Sequence, residues 1–416
     1  MRKRHRVGSI DGPSRGMRNL SHFTLWLFLF GQQQIVMAGT NIIPTNGNGW
    51  TTNADTSGNT TEITGARQIG GNSYNSFQYF SVAAGQTVNF RLEGAANLVN
   101  LVRISRTDIN GVLNSYLANG SIGGNVFFVN PHGITVGANG VVNVGSLSMV
   151  VPSQSAMDDY ISALEDSSST VDERLLFIGG MQLAEDGEID IQGTINAQDG
   201  VLLLANSVNV SGSVNVGEKY TGRSSSGEIY SSGAELFSAL VKVSDDFQDE
   251  LGIFEVDGEI VIGAAGLSGG IINDLNPAKN TSASITVTDG ASIQTEGGTV
   301  QIAAAAKQNP ASIDNGLVEW NTTSATVDID GATITSDSGE VVIDAATTVD
   351  LEVGGFDGLP IAAAIAKSDA KSRVRVSGAS EISAATDVTI SSSSDTDISA
   401  TCLLYTSDAA DDDRIV

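Results

Sequence analysis

Two short stretches of the chain decide its fold: Glu188-Ile-Asp-Ile-Gln-Gly-Thr-Ile-Asn196 and Ser207-Val-Asn-Val-Ser-Gly-Ser-Val-Asn215. Both alternate apolar and polar residues around a glycine, and the second follows the first after 19 residues. Alternation with a period of two is typical of strands that bury one face, and the glycine marks a tight bend where φ can be positive. A repeat of this length indicates coils that stack on one another. The sequence therefore predicts an all-β fold, a right-handed parallel β-helix.

The same unit recurs toward the C-terminus around Gly258, Gly331 and Gly378, and around Gly290 with one extra residue. The intervals from Gly290 to Gly331 and from Gly331 to Gly378 are 41 and 47 residues, so we expect about two coils in each. An antiparallel β-sandwich array is the rival fold, but it usually places Trp or Tyr in its core. Beyond residue 38 the only tryptophans are Trp50 and Trp320, which favours the β-helix.

Some segments depart from the repeat. Residues 153–173 carry Met157, Tyr160, Ile161 and Leu164 at helical spacing, which predicts a short helix or a decorated loop, and residues 235–251 have a similar pattern. Two alanine-rich pieces, 302–307 and 361–367, lie 59 residues apart, which suggests about three coils between them. Their alanines would pack either at a tight position of the coil or in a short helical excursion.

The composition excludes several classes of protein. The 416 residues have a formal net charge of −27, which argues against a protein that neutralises the phosphates of nucleic acid. A hydrophobic content of 41% is enough to build a core. The single cysteine excludes an intrachain disulfide framework and a Cys-rich zinc site.

The N-terminus has the pattern of an export signal. A basic region is followed by the apolar run from Phe23 to Phe30, which is too short to span a bilayer, and then by small residues before Gly39. This pattern predicts a secretory signal peptide over residues 1–38, cleaved between Ala38 and Gly39 after export through the Sec translocon. Met17 is an alternative start, and a retained anchor helix is the alternative reading.

Residues 75–150 carry a series of motifs. The series runs from Asn75-Ser-Phe-Gln-Tyr-Phe80 through Asn100-Leu-Val-Arg103-Ile104 to Asn130-Pro131-His132-Gly133-Ile134. In order and spacing it resembles the N-terminal secretion domain of two-partner secretion exoproteins, the filamentous haemagglutinin and haemolysin group. The resemblance extends more weakly over residues 188–217, and after residue 217 only the general repeat character agrees.

The resemblance implies a partner and a location. In this family an outer-membrane β-barrel transporter with periplasmic domains recognises the secretion domain, and the chain reaches the cell surface or the medium of a Gram-negative bacterium. The expected recognition or turn residues are Asn100, Arg103, Asn130, Pro131, His132, Gly133 and Ile134. The family pattern has Asn where this chain has His132, and the family's earlier Asn-Pro motif has no clear counterpart here.

The residues of the turn motif also have a purely structural explanation. Asn tolerates left-handed φ, Pro131 restricts φ, and Gly133 permits positive φ, so a stiff turn between strands 126–129 and 134–136 accounts for the pattern. Nucleation of this turn and its display to the transporter both remain open. His132 is expected to be an exposed turn residue rather than a metal ligand or a base, because no second His or Cys accompanies it.

Other functions need residues that this sequence does not place together. A polysaccharide-active enzyme on a β-helix needs convergent carboxylates, but the pairs Glu188/Asp190 and Asp328/Asp330 alternate with inward apolar residues and are expected to face solvent. We therefore expect no catalytic residues, no metal site and no cofactor beyond weak Ca²⁺ binding at acidic turns. A β-helical enzyme and a cytolysin exported by the same route are the alternatives.

The expected organisation follows from these patterns. Residues 1–38 are the signal peptide, 39–217 the secretion domain, and 218–401 a truncated β-helical shaft. Residues 402–416 contain the lone Cys402, lack the repeat, and resemble a translated sequencing adapter. The expected function is that of a secreted filamentous adhesin, whose ligand on host or neighbouring cells is unknown and whose first domain templates folding outside the cell.

Overall fold

The computed structural model describes residues 40–69, 72–95, 97–166, 182–217, 260–268, 278–308, 318–354 and 365–401. The predicted signal peptide with its cleavage site, the helical pattern at 235–251, residues 361–364 and the tail 402–416 lie outside these residues. Within the described ranges, no helix is long and apolar enough to cross a membrane.

Strands dominate the described chain, with one α-helix between them. The strands before the helix are β1 (Asn41–Pro44), β2 (Asn53–Ser57), β3 (Thr60–Thr64), β4 (Arg67–Ile69), β5 (Asn72–Val82), β6 (Thr87–Arg91), β7 (Asn97–Val102), β8 (Thr107–Ile109), β9 (Val112–Tyr116), β10 (Asn125–Val129), β11 (Ile134–Val136) and β12 (Val141–Val150). The helix is α1 (Gln154–Glu165). After it come β13 (Glu188–Ile191), β14 (Thr194–Ala205), β15 (Ser207–Val210), β16 (Ser213–Val216), β17 (Ile260–Ser268), β18 (Ala278–Val287), β19 (Ser292–Thr295), β20 (Val300–Gln308), β21 (Val318–Asp330), β22 (Thr333–Ser336), β23 (Val341–Gly354), β24 (Ile365–Ser377), β25 (Glu381–Ala384) and β26 (Val388–Thr401).

Strands of successive coils pair in parallel and build three faces. The first face contains β7, β10, β17, β20, β23 and β26 with parts of β5, β12 and β14. The second contains the end of β5 with β8, β11, β13, β15, β18, β21 and β24. The third contains β3, β6, β9, β16, β19, β22 and β25 with the starts of β12 and β14. The predicted parallel β-helix is confirmed.

The repeat of 19 residues corresponds to one complete coil. Ile189 pairs with Val208 on the second face, and Ile195 pairs with Val214 on the third. The expectation of two coils in each later interval is wrong, because Val327 pairs directly with Val374, 47 positions along the chain. Longer strands account for part of the greater length of the later coils: β21 has 13 residues where its counterpart β15 has 4.

The repeat glycines serve two different purposes. Gly331 and Gly378 have positive φ, as predicted. Gly193 and Gly212 do not, so the expectation of positive φ is wrong for the two stretches that define the repeat. At Gly212 an added Cβ would overlap the carbonyl oxygen of Gly193 in the preceding coil. Glycine is needed there because neighbouring coils approach closely at the bend.

Two apolar clusters stabilise the coil. One fills the interior, where four phenylalanines (Phe77, Phe80, Phe90 and Phe128) pack in the first coils and Val, Ile and Ala pack in the later ones. The other lies on the outer side of the first face, where α1 buries Met157, Tyr160, Ile161 and Leu164 as the helical spacing predicted. The alanines at 303–306 lie in β20 and are buried on both sides, so the helical excursion left open for that piece does not occur.

The N-terminal segment pairs with the first coil. β1 and β4 run antiparallel to β5, and β2 forms an antiparallel pair with β3. β3 then pairs in parallel with β6 of the third face. Residues 40–69 therefore close the backbone edge at which the β-helix begins, where unpaired strands would otherwise attract other chains.

Candidate functional site: the turn motif and its contacts

The motif at residues 130–134 forms the turn between β10 and β11, within one residue of the predicted position. Gly133 has a φ of 94°, which only glycine adopts without strain. Asn130 has no positive φ, so the explanation of this asparagine by left-handed geometry is wrong. Its role is explained by its hydrogen bonds instead.

Asn130 is fully buried and joins two coils. Its Nδ2 donates to the carbonyl oxygen of Ser105 and to Oγ1 of Thr107, each at 2.9 Å. Its Oδ1 accepts from the backbone N–H of His132 at 2.8 Å. The backbone N–H of Thr107 in turn donates to the carbonyl oxygen of Gly133 at 3.1 Å. The Nδ2 of Asn130 thus holds the turn against the preceding coil, and its Oδ1 closes the turn itself.

The motif divides into a buried part and a surface part. Ile134 is buried in the interior, and a Cβ added to Gly133 would lie 2.9 Å from the carbonyl oxygen of Glu188. Pro131 is half-buried and His132 is exposed, as predicted for the histidine. The Nε2 atom of His132 lies 3.0 Å from the carbonyl oxygen of Arg103. In the folded domain, only Pro131 and His132 of the five residues offer appreciable surface.

The two earlier motif residues occupy different environments. Asn100 is fully buried, where its Oδ1 accepts from Asn75 at 2.9 Å and its Nδ2 donates to the carbonyl oxygen of Phe127 at 3.1 Å. Arg103 is half-buried, and its Nε donates to Oγ of Ser76 at 2.8 Å. Asn100 therefore lies inside the folded domain, whereas Arg103 lies beside the turn.

Arg103 belongs to a cluster that sequence reasoning missed. Its Nη2 lies 3.3 Å from Oε1 of Glu165 in α1, and its guanidinium carbon lies 5.2 Å from the centre of the Trp50 ring. The Nε1 of Trp50 donates to the same carboxylate at 2.8 Å, and Nδ2 of Asn48 donates to it at 3.0 Å. Arg67 approaches the Trp50 ring at 5.6 Å. These contacts fasten the N-terminal segment, the first face and α1 together.

The electrostatics of Glu165 follow from this cluster. Burial alone would raise the pKa of Glu165, but hydrogen bonds from Trp50, Arg103 and Asn48 outweigh it and hold the pKa below its ordinary value. Two features of the sequence could have pointed to this cluster. Tryptophan is rare in the chain, and the helical pattern ends in an acidic residue. Neither signal indicated that residues more than 100 positions apart would meet.

A second cluster lies on the other side of the turn. Nη2 of Arg106 donates to Glu188 at 2.9 Å, and Nε of Arg106 donates to Oγ1 of Thr135 at 2.7 Å. Nδ2 of Asn209 donates to Glu188 at 2.8 Å. Burial raises the pKa of the nearby Asp108, although the positive charge of Arg106 opposes this effect.

The acidic pairs lie on the outside of the coil, as predicted. Ile189 and Ile191 are fully buried while Glu188 and Asp190 are half-buried on the opposite side. Asp328 forms an ion pair with Arg373 of the next coil at 2.8 Å. No group of three or more His, Cys, Asp or Glu side chains placed to hold a metal ion occurs in the part of the chain that the structure describes.

Comparison with known proteins identifies the domain. The family described as the TPS secretion domain matches residues 40–242. The crystal structure of the filamentous hemagglutinin secretion domain matches at 15% identity with a TM-score of 0.36, over 86% of this chain and 100% of that one. The HMW1 secretion domain from Haemophilus influenzae matches at 16% identity with a TM-score of 0.28, over 88% and 100%. Comparison with curated proteins gives no match.

The family match covers the N-terminal closing segment, the coils from β5 to β16, α1 and the turn motif. Residues 40–242 therefore belong to the family of TPS secretion domains, the N-terminal domains of two-partner secretion exoproteins.

Proposed function

We propose that residues 40–217 are the part of the chain that an outer-membrane β-barrel transporter recognises, and that this part folds first and templates the coils that follow. The chain would enter the periplasm through the Sec translocon and leave it through the transporter, to act as an adhesin at the cell surface or in the medium. The observation that carries the proposal is the family match over residues 40–242, since its members are secretion domains.

The register of the coils supports a templating role. Each strand pairs in parallel with its counterpart one coil earlier, and apolar residues stack on apolar residues from Ile134 to Ile189 and on to Val208. A coil that has already folded therefore presents both a row of backbone groups and an apolar surface to the next one. Because residues 40–69 close the first edge of the β-helix, further coils can be added only at its C-terminal end.

The last described coil exposes apolar side chains whose counterparts in the coil before it are buried. Val376, Val388 and Ile390 are exposed by 42%, 44% and 48%. Their counterparts one coil earlier are Ile329, Val341 and Ile343, and all three are fully buried. Another coil of the same kind would cover the exposed residues and remove their apolar surface from water.

The turn motif is the proposed contact with the transporter, through Pro131 and His132. The test expresses the full chain together with its transporter and measures the chain in the culture medium. A Pro131→Ala/His132→Ala variant removes the two surface residues and leaves the buried Asn130 and Ile134 in place. Asn139→Ala, at an exposed turn between β11 and β12, is the matched control.

We expect the double variant to accumulate inside the cell while its stability falls by no more than about 0.4–1 kcal/mol, the cost of losing the proline restriction alone. The control should be exported normally. Export of the double variant at the parent level would contradict recognition through this turn. A purified chain that releases sugar ends from acidic polysaccharides would favour an enzyme instead, and lysis of red cells would favour a cytolysin.

A further inference from the structure

A row of asparagines runs along the third face of the β-helix. Asn89, Asn114, Asn143, Asn196 and Asn215 occupy equivalent positions in successive coils. In each pair, Nδ2 of the later asparagine donates to Oδ1 of the earlier one, at 2.9–3.0 Å. We call these five residues the asparagine ladder. All of its amides point in the same direction, with oxygens toward the C-terminal coils.

An amide ladder has two directions that are nearly equal in shape, because the oxygen and nitrogen of the side-chain amide occupy similar positions. Reversing every amide would keep each hydrogen bond within the ladder. A group at one end that can serve in only one role therefore sets the direction of the whole ladder. A carboxylate is such a group, since an ionised carboxylate only accepts.

The ladder begins at a carboxylate. Glu62 in β3 is in register with Asn89, and its Oε1 accepts from Nδ2 of Asn89 at 2.7 Å. Its other oxygen, Oε2, accepts from Nε of Arg91 at 2.6 Å. The hydrogen bond from Arg91, opposed by burial and aided by Asn89, lowers the pKa of Glu62, which keeps it an acceptor at neutral pH.

The first face carries two shorter rows. In the row of Asn72, Asn97 and Asn125, the later residue donates to the earlier one at 2.8 Å, as in the asparagine ladder. The other row shows the rule in the opposite direction. Nδ2 of Asn75 donates to Oδ1 of Asn100, so here the earlier residue donates to the later one. Nδ2 of Asn100 donates to the carbonyl oxygen of Phe127, which can only accept. In this row the group that only accepts lies at the C-terminal end, and the NH₂ groups of both asparagines face that end.

We propose that Glu62 sets the direction of the asparagine ladder through all five asparagines, so that a coil added after Asn215 meets an acceptor oxygen. Asn215 lies five strands from Glu62, which is about 24 Å at a strand spacing of about 4.8 Å. The residue in register in the next coil is Gln294, whose amide carries the donor that such an oxygen requires. Glu62 is a positioning residue, and its role does not depend on recognition by the transporter.

The substitution Glu62→Gln tests this role. Glutamine has one acceptor oxygen where glutamate has two, and Arg91 can only donate. Arg91 then takes the oxygen, the new NH₂ group faces Asn89, and the ladder must reverse. The further substitution Arg91→Met removes the competing donor, and because the glutamine amide can either donate or accept, the Glu62→Gln/Arg91→Met chain should populate both directions of the ladder.

The matched control is Glu188→Gln. Glu188 also accepts from an arginine and an asparagine, at 2.9 Å from Arg106 and 2.8 Å from Asn209. The residue in register after Asn209 is Thr286, so no row of amides continues from it. Glu188→Gln therefore removes the same local contacts without reversing a ladder.

The experiment records the side-chain NH₂ resonances of the full chain labelled with ¹⁵N in asparagine, assigned through Asn196→Ser and Asn215→Ser. In Glu62→Gln we expect the resonances of Asn196 and Asn215 to move, and in Glu62→Gln/Arg91→Met we expect them to lie between the parent and the Glu62→Gln positions or to split between the two. Glu62→Asp and Glu188→Gln should leave the resonance of Asn215 in place. An unmoved Asn215 resonance in a folded Glu62→Gln chain overturns the proposal, as does one that stays fully displaced in the double variant. If a Glu62→Gln chain is not exported while its Asn215 resonance is unmoved, the result contradicts the role assigned to Glu62. It does not contradict recognition of the turn motif by the transporter.

Discussion

The amide of Asn130 and the hydroxyl of Thr107 meet at 2.9 Å across two successive coils, and the same amide holds the carbonyl oxygen of Ser105. The asparagine that begins the turn motif is thus an internal fastener of the β-helix. The surface of the motif is left to Pro131 and His132. This division allows the structural role of the motif and its proposed recognition role to be separated by substitution.

Asn130→Ala should destabilise the domain without changing its surface. The substitution leaves the carbonyl oxygen of Ser105, the hydroxyl of Thr107 and the N–H of His132 without their partner, at an expected cost of about 2–4 kcal/mol. Urea unfolding of the purified chain measures this loss. The exposed His132→Ala serves as the control and should stay within about 0.5 kcal/mol of the parent. Equal stability of the two variants would contradict the role assigned to Asn130.

Glu165→Gln should weaken the attachment of α1 and the N-terminal segment to the first face. Glu165 accepts from Trp50, Arg103 and Asn48, and an uncharged amide cannot serve all three, so we expect a loss of about 1–2 kcal/mol at pH 7. Because the folded-state pKa lies below the ordinary 4.5, this stabilisation is complete above pH 4.5 and is lost as the pH falls through the folded value.

Urea midpoints of the parent chain and of Glu165→Gln at several pH values between 7 and 3 measure this effect. The difference between the two midpoints should be largest at pH 7 and should shrink below pH 4.5. A difference that grows with acidity would show that the carboxylate is not stabilised in its charged form.

Asp108→Asn should stabilise the domain at neutral pH. Burial raises the pKa of Asp108 above its ordinary 3.8, so its charged form is disfavoured in the folded state. This unfavourable contribution is present above the folded pKa and disappears as the pH falls below 3.8. The thermal midpoint of Asp108→Asn should therefore exceed that of the parent at pH 7 and match it near pH 3. Asp55→Asn in the exposed part of β2 is the control and should change neither value appreciably.

Gly212→Ala should cost more than Gly290→Ala, although only Gly290 has a positive φ. At Gly212 the new methyl would overlap the backbone of Gly193, so the coils must separate, at an expected cost of about 3 kcal/mol. Gly290 has a φ of 84° with nothing within 4 Å of an added Cβ, so strain of about 1 kcal/mol is expected. Chemical denaturation of both variants gives the order, and the reverse order would contradict close approach as the reason for Gly212.

Local pattern was sufficient to predict the strands and the turn. The period-two alternation around Gly193 and Gly212 predicted the parallel coil, and helical spacing predicted the buried side of α1. The number of coils between Gly290 and Gly378 was mispredicted because strand lengths grow along the chain, and glycine spacing alone does not reveal this. The pairing of Trp50 and Arg103 with Glu165 was not predictable, since it depends on how an inserted helix folds back onto the first coils.

We propose that the secretion domain folds first and serves as the template for the coils after it. Pulse-labelling hydrogen exchange during refolding of the full chain, read by mass spectrometry, follows the order in which the coils form. Peptides from β7 to β12 should gain protection before peptides from β21 to β26, with β13 to β16 in between. Protection that appears first in β21 to β26, or at the same time in every coil, would contradict templated folding from the secretion domain.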